Sequence, residues 1–397
     1  MEEIGLGRST IVVIAGSYPE VSQTFVVDHV KGLAAFGWDV HVAARQLYRD
    51  RLAPLGLDDV PVYELKTPPR NWVVRLKTAL TTVGAGGAYH LKSVSVRAAS
   101  YFAPSLRDLL EEVKPAVVHA HFAHNGLMAS MAARGMCPVI VDFHGYDVLE
   151  LPRNEGWRHF ARFLSGAHGI VHSSFLEKEV ASHIDLPLHR VTMGVDPELF
   201  GGSERPSQWP EDLTLLTVGR LVRVKGHDVA IKALAALTAR GYPSSVRLVV
   251  VGDGPERQAL AELSSELGVG DRVEFAGPLP PTRVSLMMAQ ADFLLVPSLP
   301  LGGWQESFCR VAVEGLASGL AVIGTRSGGL TDTIGSGGWT VEPGDHRELA
   351  NKILEVLDSI APSAVAERSR AQAAAFNIET MQGEYDAVTK SVLRAFH

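Results

Sequence analysis

The stretch ADFLLVPSLPLGGWQESFCRVAVEGLASGLAVIGT, residues 291–325, decides the fold. It opens on an apolar run, Asp292–Val296, passes through a proline- and glycine-marked loop, and continues as a helix-like segment. A second apolar run, Ala321–Gly324, follows directly. Strands apolar throughout and joined by helices belong to parallel sheets covered on both faces. The same rhythm runs outward in both directions. Upstream, strands are expected at Thr10–Ala15, Asp39–Ala43, Ala116–Phe122, Val139–Phe143, Gly169–His172 and Arg190–Met193. A second series is expected at Leu213–Val218, Val246–Val251 and Val273–Phe275, before the two runs already quoted. Segments 24–37 and 124–135 between them have helical apolar spacing and end at glycine. The fold class is therefore α/β, two doubly wound parallel-sheet domains of the Rossmann type facing a central cleft, with ligands beyond the carboxyl ends of the strands. The stretch DPELFGGSERPSQWPED, 196–212, interrupts the rhythm and reads as a linker. The expected division is 1–200, 201–377 and a last helix at 378–397 that packs back on the first domain.

Composition excludes several classes. Hydrophobic residues make up 46% and charged residues 20% of 397, which suits a globular chain with two cores. A net charge of −7 without a lysine/arginine block argues against nucleic-acid binding. Cys137 and Cys309 are the two cysteines, too few and too far apart for a disulfide framework or a zinc spacing. The start lacks the basic-then-apolar order of a signal peptide, and no apolar run reaches the ~20 residues of a membrane span. These features predict a cytosolic protein.

Within the opening stretch Glu306 and Glu314 form Glu-x7-Glu. Eight helical residues rise about 12 Å, near the span from the hexose to the ribose of a nucleotide-sugar. Two carboxylates at that spacing suit hydroxyls at both ends, with the diphosphate over the helix N-terminus. After the strand at 213–218, Arg220 and Lys225 flank a short loop, a guanidinium fork and a point charge suited to a diphosphate. Further turns suited to the same donor carry Gly252 and Gly254, Leu279, and Gly328–Gly329, the last expected to offer free N–H groups. There is no Walker A pattern and no Gly-x-Gly-x-x-Gly after the first strand, so P-loop and dinucleotide readings lose support. In the first half, His144, Gly145 and Asp147 follow a strand, whereas Asp142 by alternation points away and reads as a cap or packing residue. HAHFAHNG supplies His119, His121 and His124. His-x-His raises the possibility of zinc, which the lack of cysteine or acidic neighbours counts against. No metal or other cofactor is expected. Gly16 and Ser17 after the first strand allow close approach to a phosphate or an acceptor.

In their order and spacing, VGRLVRVKGH, VVVGDGPER, VEFAGPL, ADFLLVPS, ESFCRVAVEGLASGLAVIGTRSGG and EPGD resemble glycosyltransferase family 4, the retaining sugar-nucleotide transferases of GT-B fold. HAHFAHNG, DFHGYDV and MGVDPELF extend the resemblance to nearly the whole chain. SYPEVSQTF, 17–25, resembles the Ser-Glu-Thr-Phe segment of the exopolysaccharide (colanic-acid) type. The resemblance implies that Arg220 and Lys225 grip the pyrophosphate, Glu306 contacts the transferred sugar and Glu314 the ribose, with Ser307 and Phe308 beside the donor. It puts His144 near the donor sugar, Asp147 near the acceptor or supporting that histidine, and Thr24 and His121 toward the acceptor. The chain departs from the pattern at Gln23, Ser307 and Asp332. The implied activity is transfer of a hexose or N-acetylhexosamine, with UDP ahead of GDP as carrier, to a glycan, lipid-linked saccharide or small molecule. Rivals are a GT-B phosphorylase or epimerase, or a catalytically silent sugar-nucleotide-binding subunit. Between Glu64 and Asp108 there is no acidic residue but seven lysines and arginines, interleaved with apolar residues such as Trp72. This tract, 66–107, reads either as a solvated helical face or as a surface that meets an anionic membrane or receives a phosphorylated, lipid-linked acceptor.

Overall fold

The computed structural model describes residues 9–20, 23–66, 93–151, 156–202, 204–241 and 245–396. Most of the 66–107 tract therefore lies outside the described residues. The chain divides into two units, 1–192 with 379–397, and 193–378. Each is built on one parallel sheet.

The first sheet has the order β3-β2-β1-β4-β5-β6-β7, with β1 Thr10–Tyr18, β2 Asp39–Leu47, β3 Val62–Glu64, β4 Val117–His121, β5 Val139–Asp142, β6 His168–Val171 and β7 Leu188–Arg190. Ile11–Ala15 are fully buried because helices cover both faces. On one face Val12, Ile14, Val118, Ala120, Val139 and Val141 pack under the helices Val94–Val113 and Ala123–Ala132. On the other, strand alternation places His119, His121 and Asp142, and side chains of the helices Thr24–Ala35 and Ile378–Phe396 meet them there. The C-terminal helix, expected from residue 378, falls with the first unit from Glu379.

The second sheet has the order β10-β9-β8-β11-β12-β13, with β8 Asp212–Val218, β9 Ser245–Val251, β10 Val273–Gly277, β11 Phe293–Val296, β12 Ala321–Thr325 and β13 Trp339–Val341. The opening stretch of sequence is thus β11, a loop, the helix Arg310–Ala317 and β12. Its residues divide by alternation: Phe293 and Leu295 face one core with the helices His227–Arg240 and His346–Ser359. Leu294 and Val296 face the other, against the Arg310–Ala317 helix.

Three readings need correction. The 196–212 stretch is not a free linker. Asp196 caps the short helix Pro197–Phe200, Arg205 donates to the carbonyls of Met288, Ala291 and Ser318, and Trp209 donates to that of Ile360. Those docked side chains put the division at Thr192/Met193. The strand expected at Arg190–Met193 lies upstream, at Leu188–Arg190. The three-residue edge strands β3 and β13 were not expected at all.

Candidate active site

In each sheet the strand order reverses beside the first strand of its unit, between β1 and β4 and between β8 and β11. The crevice at such a switch point, beyond the strand carboxyl ends, is where open α/β sheets bind ligands. The chemistry-bearing residues collect at both.

In the second unit, Arg220 and Lys225 follow β8, and Ser298 and Glu306 follow β11. Lys225 Nζ lies 2.9 Å from both Glu306 carboxylate oxygens, and the Ser298 hydroxyl donates to Glu306 Oε2 at 2.8 Å. Glu306 is 6% exposed, so this is a nearly buried ion pair. Burial would lower the Lys225 ammonium pKa; the facing Glu306 carboxylate reverses that and raises it. The ammonium also sits 5.2 Å from the centre of the Trp304 ring. His227, buried behind the loop, accepts from Thr217 Oγ1 through Nδ1 at 3.2 Å and donates from Nε2 to the Arg220 carbonyl at 3.1 Å. Burial pushes it down to about 4, so it is a neutral fixed brace for the 220 loop. Gly226, at φ 67°, closes that loop, where a Cβ would lie 2.0 Å from the Pro297 carbonyl oxygen. The Arg220 side chain itself is exposed.

The Glu-x7-Glu geometry differs from the expectation. The helix begins at Arg310, so helical rise sets only part of the separation, and Glu306 lies in the preceding loop. Glu314 is 3.5 Å from Arg310. Gly328 and Gly329 do not offer free N–H groups. Gly328 N–H donates to Gln305 Oε1 at 3.1 Å and Gly329 N–H to the Glu306 carbonyl at 2.7 Å. The first holds the Gln305 side chain and the second the Glu306 backbone. Gly252 and Gly254 have a packing reason: a Cβ would lie 1.9 Å from Gly219 O or 2.4 Å from Leu221 O. Leu279 and Phe308 pack on the core shared with the Arg310–Ala317 helix, and Phe308 meets Phe376. Ser307 is half-buried beside Glu306.

In the first unit a histidine network lies under the β1/β4 switch point. His29 Nδ1 is 2.9 Å from His121 Nε2, and His121 Nδ1 is 3.0 Å from His144 Nε2. Asp142, read as a cap or packing residue, is instead the hub. It lies 3.4 Å from both His121 and His144, 2.6 Å from His172 Nε2, and accepts from the Tyr385 hydroxyl. His172 Nδ1 faces the Val191 carbonyl at 2.9 Å, so both its nitrogens meet acceptors and both must donate. His172 is therefore an imidazolium; burial opposes its charge, but Asp142 raises its pKa. Burial would raise the Asp142 carboxyl, yet the rings around it hold it well below the usual carboxylate range. Burial lowers His29 and His144, His119 to about 3 and His121 to about 4. They stay neutral.

His121, expected toward an acceptor, is enclosed behind His144 with no exposure. His119 is buried too, bonded to Thr389 at 2.9 Å. Asp147 is likewise enclosed: its oxygens accept from the N–H groups of Ala123, His144 and Gly145 at 2.7–3.0 Å. It supports the histidine loop and presents no open face to an acceptor, and burial pushes it up to about 6. Phe25 of the SQTF segment packs its ring 4.3 Å from that of His144, with Thr24 half-buried beside it. Phe122, at φ 71°, occupies a backbone region a non-glycine residue rarely adopts. It lies 4.6 Å from the His144 ring. Gly16 and Ser17 fall at the end of β1.

Among the described residues two groups place metal-ligating atoms within 4.8 Å of one another: His29, His121 and Asp142, and Asp142, His144 and His172. In both, those atoms already bond each other. In the second group a cation would displace the Asp142–His172 contact.

Sequence reasoning missed Ser298, Trp304 and His227 in the second unit, and His29, Phe122, His172 and Tyr385 in the first. His29 carried a signal, a polar residue on the otherwise apolar face of its helix.

With this geometry in place, comparison with known proteins gives the class. Residues 22–193 match a family model described as "Glycosyl transferase 4-like domain", and residues 203–374 one described as "Glycosyl transferases group 1". Each half of the chain thus matches a glycosyltransferase domain model, and the two parallel-sheet α/β domains have the GT-B fold. It is 28% identical over 279 residues to a phosphatidylinositol N-acetylglucosaminyltransferase component of Arabidopsis thaliana, covering 67% of this chain and 60% of that one. It is 30% identical over 271 residues to D-inositol 3-phosphate glycosyltransferase 1 of Catenulispora acidiphila, 61% of this chain and 64% of the relative. The chain thus spans under two thirds of these relatives. Among solved structures, sucrose-phosphate synthase from Thermosynechococcus elongatus superposes with a TM-score of 0.74 at 20% identity, covering 98% of this chain and 100% of that one. HepE of Anabaena in complex with UDP-glucose gives 0.74 at 18% identity, 96% and 100% covered. At such identities the likeness is one of fold.

Proposed function

We propose that this protein is a retaining glycosyltransferase that takes a hexose or N-acetylhexosamine from a nucleoside-diphosphate sugar, UDP-linked, to an acceptor hydroxyl. The observation that carries the reading is the Lys225–Glu306–Ser298 assembly at the β8/β11 switch point, with the exposed Arg220 guanidinium on the same loop as Lys225. Lys225 has three N–H donors and gives two to Glu306. The third, with Arg220, is available to a diphosphate. Glu306 has about four acceptor positions, of which Lys225 and Ser298 take three. The fourth is available to a sugar hydroxyl, so the assembly can hold the donor on both sides of the scissile bond.

The reaction is then front-face. The anomeric C–O bond to the diphosphate breaks, and the acceptor oxygen bonds to the same face. The acceptor proton passes to the leaving phosphate oxygen, while Arg220 and Lys225 stabilise the charge that develops there. No carboxylate nucleophile about 5 Å away is needed, unlike retaining glycoside hydrolases. The reading requires no metal ion. UDP-glucose bound to HepE supports a UDP-linked donor by analogy, and the inositol-directed names of the relatives support a polyol acceptor. No helix among the described residues is long and apolar enough to cross a membrane; we place the protein in the cytoplasm, with any membrane contact peripheral.

The test is thermal unfolding with UDP-, GDP-, ADP- and TDP-sugars in metal-free buffer, followed by product analysis with the nucleotide that binds. A ligand at ~100 times its dissociation constant adds about 2.7 kcal/mol to the native state. The UDP series is expected to raise the midpoint, and the product to keep the donor's anomeric configuration. If no nucleotide shifts unfolding, the donor site is wrongly placed; an inverted product would remove the front-face step.

A further inference from the structure

A cavity of about 260 Å3 opens in the first unit beside β2, and no role above uses it. Its polar lining is Arg45, Ser95, His124, Asn125 and Tyr146. Its walls are Ala98, Ala99, Phe102, Met128 and Leu151. Tyr146 and Val94 lie at its mouth, 52% and 61% exposed.

Arg45 sits at the carboxyl end of β2, where Ala44 pairs with Ala15 of β1. A Cβ on Gly16 would lie 3.1 Å from its Nη2, so glycine there leaves room for the guanidinium. Arg45 Nε is buried and has no hydrogen-bond partner, and the guanidinium makes no ion pair among the described residues. The sequence from 65 to 107 contains no carboxylate to supply one. Burial lowers the Arg45 pKa, yet an arginine remains charged. The Phe102 ring, 6.0 Å away, gives a weak cation–π contact at the limit of its range and no acceptor for Nε. A second group points to the same space. His124 Nδ1 is buried with no partner, and burial and the nearby Arg45 charge push the ring down to about 4. It is neutral at pH 7 and can donate one N–H. A guanidinium Nε and a ring nitrogen, both buried and unsatisfied, face a cavity with largely apolar walls.

We infer that this cavity binds an oxyanion joined to an apolar body, the chemistry of an alkyl or isoprenoid phosphate, with the oxyanion on Arg45 and His124. Its location at the carboxyl end of β2, beside Gly16 and Ser17 at the end of the paired strand β1, makes the occupant the lipid-phosphate part of an acceptor whose sugar or polyol hydroxyl is the group glycosylated. Calling it the acceptor rests on the transferase reading; the binding itself does not.

The test uses the full chain and titration calorimetry with geranyl phosphate, geraniol and inorganic phosphate, on wild type and Arg45→Met. Geranyl phosphate is expected to bind at least ~10-fold more tightly than either fragment, and Arg45→Met to weaken it by at least ~10-fold, as loss of a charge-assisted hydrogen bond implies. Arg45→Met should leave the denaturant midpoint unchanged or slightly raised, because the half-buried guanidinium makes no ion pair whose loss would destabilise the fold and its Nε has no partner; a structural arginine would give a clear loss. No binding of geranyl phosphate, equal binding of geraniol, or undiminished binding by a folded Arg45→Met would each overturn the site. Sedimentation with phosphatidylglycerol vesicles separates the sources. Arg45-dependent sedimentation competed by geranyl phosphate supports a lipid headgroup. Geranyl phosphate binding without such sedimentation supports a soluble amphiphile.

Discussion

Lys225 and Glu306 are 81 residues apart and share one ion pair. Each was legible separately, Lys225 from its basic loop and Glu306 from Glu-x7-Glu, but their pairing was not. It depends on the 297–309 loop returning Glu306 over the end of β8, which no local pattern encodes. Pairing changes what a substitution does. Lys225→Ala or Glu306→Ala is expected to lower turnover at least ~100-fold, as loss of a positioned charge stabiliser does. Either should also destabilise the second unit by about 3 kcal/mol. That is the lower end for breaking a buried pair, because the Lys225 side chain is 24% exposed. Lys225→Met with Glu306→Gln should recover most of that stability and none of the turnover. Denaturant midpoints with single-turnover rates check this; a double variant as unstable as the singles would show that packing, not charge, was lost. The Asp142 network was hidden for the same reason: Tyr385 is 243 residues from Asp142 and meets it only once the sheet is assembled.

Elements were legible where burial is complete. β1, β8 and β11 sit inside their sheets and read as continuous apolar runs. β3 and β13 are three-residue edges, with burial on too few residues to leave a pattern. A helix also carries information a residue alone does not. The Arg310–Ala317 helix lies on β11 through Gly315, where a Cβ would come within 2.4 Å of Leu294 Cδ2. Gly315→Ala should therefore destabilise the second unit by about 1–3 kcal/mol through overpacking, although alanine is the better helix former. Unfolding midpoints decide this directly. A more stable Gly315→Ala would show that the helix can lift off β11 at no cost. The Glu314 and Glu306 ends of the opening stretch would then not be held in register by it.

At the scale of the whole molecule, the two units carry their titratable groups unequally. The first buries five histidines in neutral form, His29, His119, His121, His124 and His144, all with pKa values pushed below normal by desolvation. The second buries His227 in the same way. A histidine lowered in the folded state binds its proton more readily when unfolded. Its contribution is thus intact above about pH 6.5 and is lost as pH falls toward the folded value. Each such group removes about 1.4 kcal/mol per pH unit over that window. It ends near 4 for His121, His124 and His227 and near 3 for His119. His172 acts in the opposite sense, but only above about 6.5: its raised pKa gives a contribution that grows as pH falls toward 6.5 and is constant below it. Asp142, held low, loses its contribution only below the ordinary carboxylate range of about 3.9. Asp147, raised to about 6, binds its proton more readily in the folded state, so its contribution grows as pH falls through 6 and offsets about one histidine of the first unit. Between about pH 6.5 and 5 the remaining neutral histidines set the slope, and the first unit falls faster than the second. Calorimetry across that range should show the transition of the first unit moving down and separating from that of the second. His121→Asn should flatten the first unit's slope while leaving the second's unchanged. Equal slopes for both units would mean that the buried histidines take up protons in the folded state, and that the Asp142 hub holds more than one imidazolium.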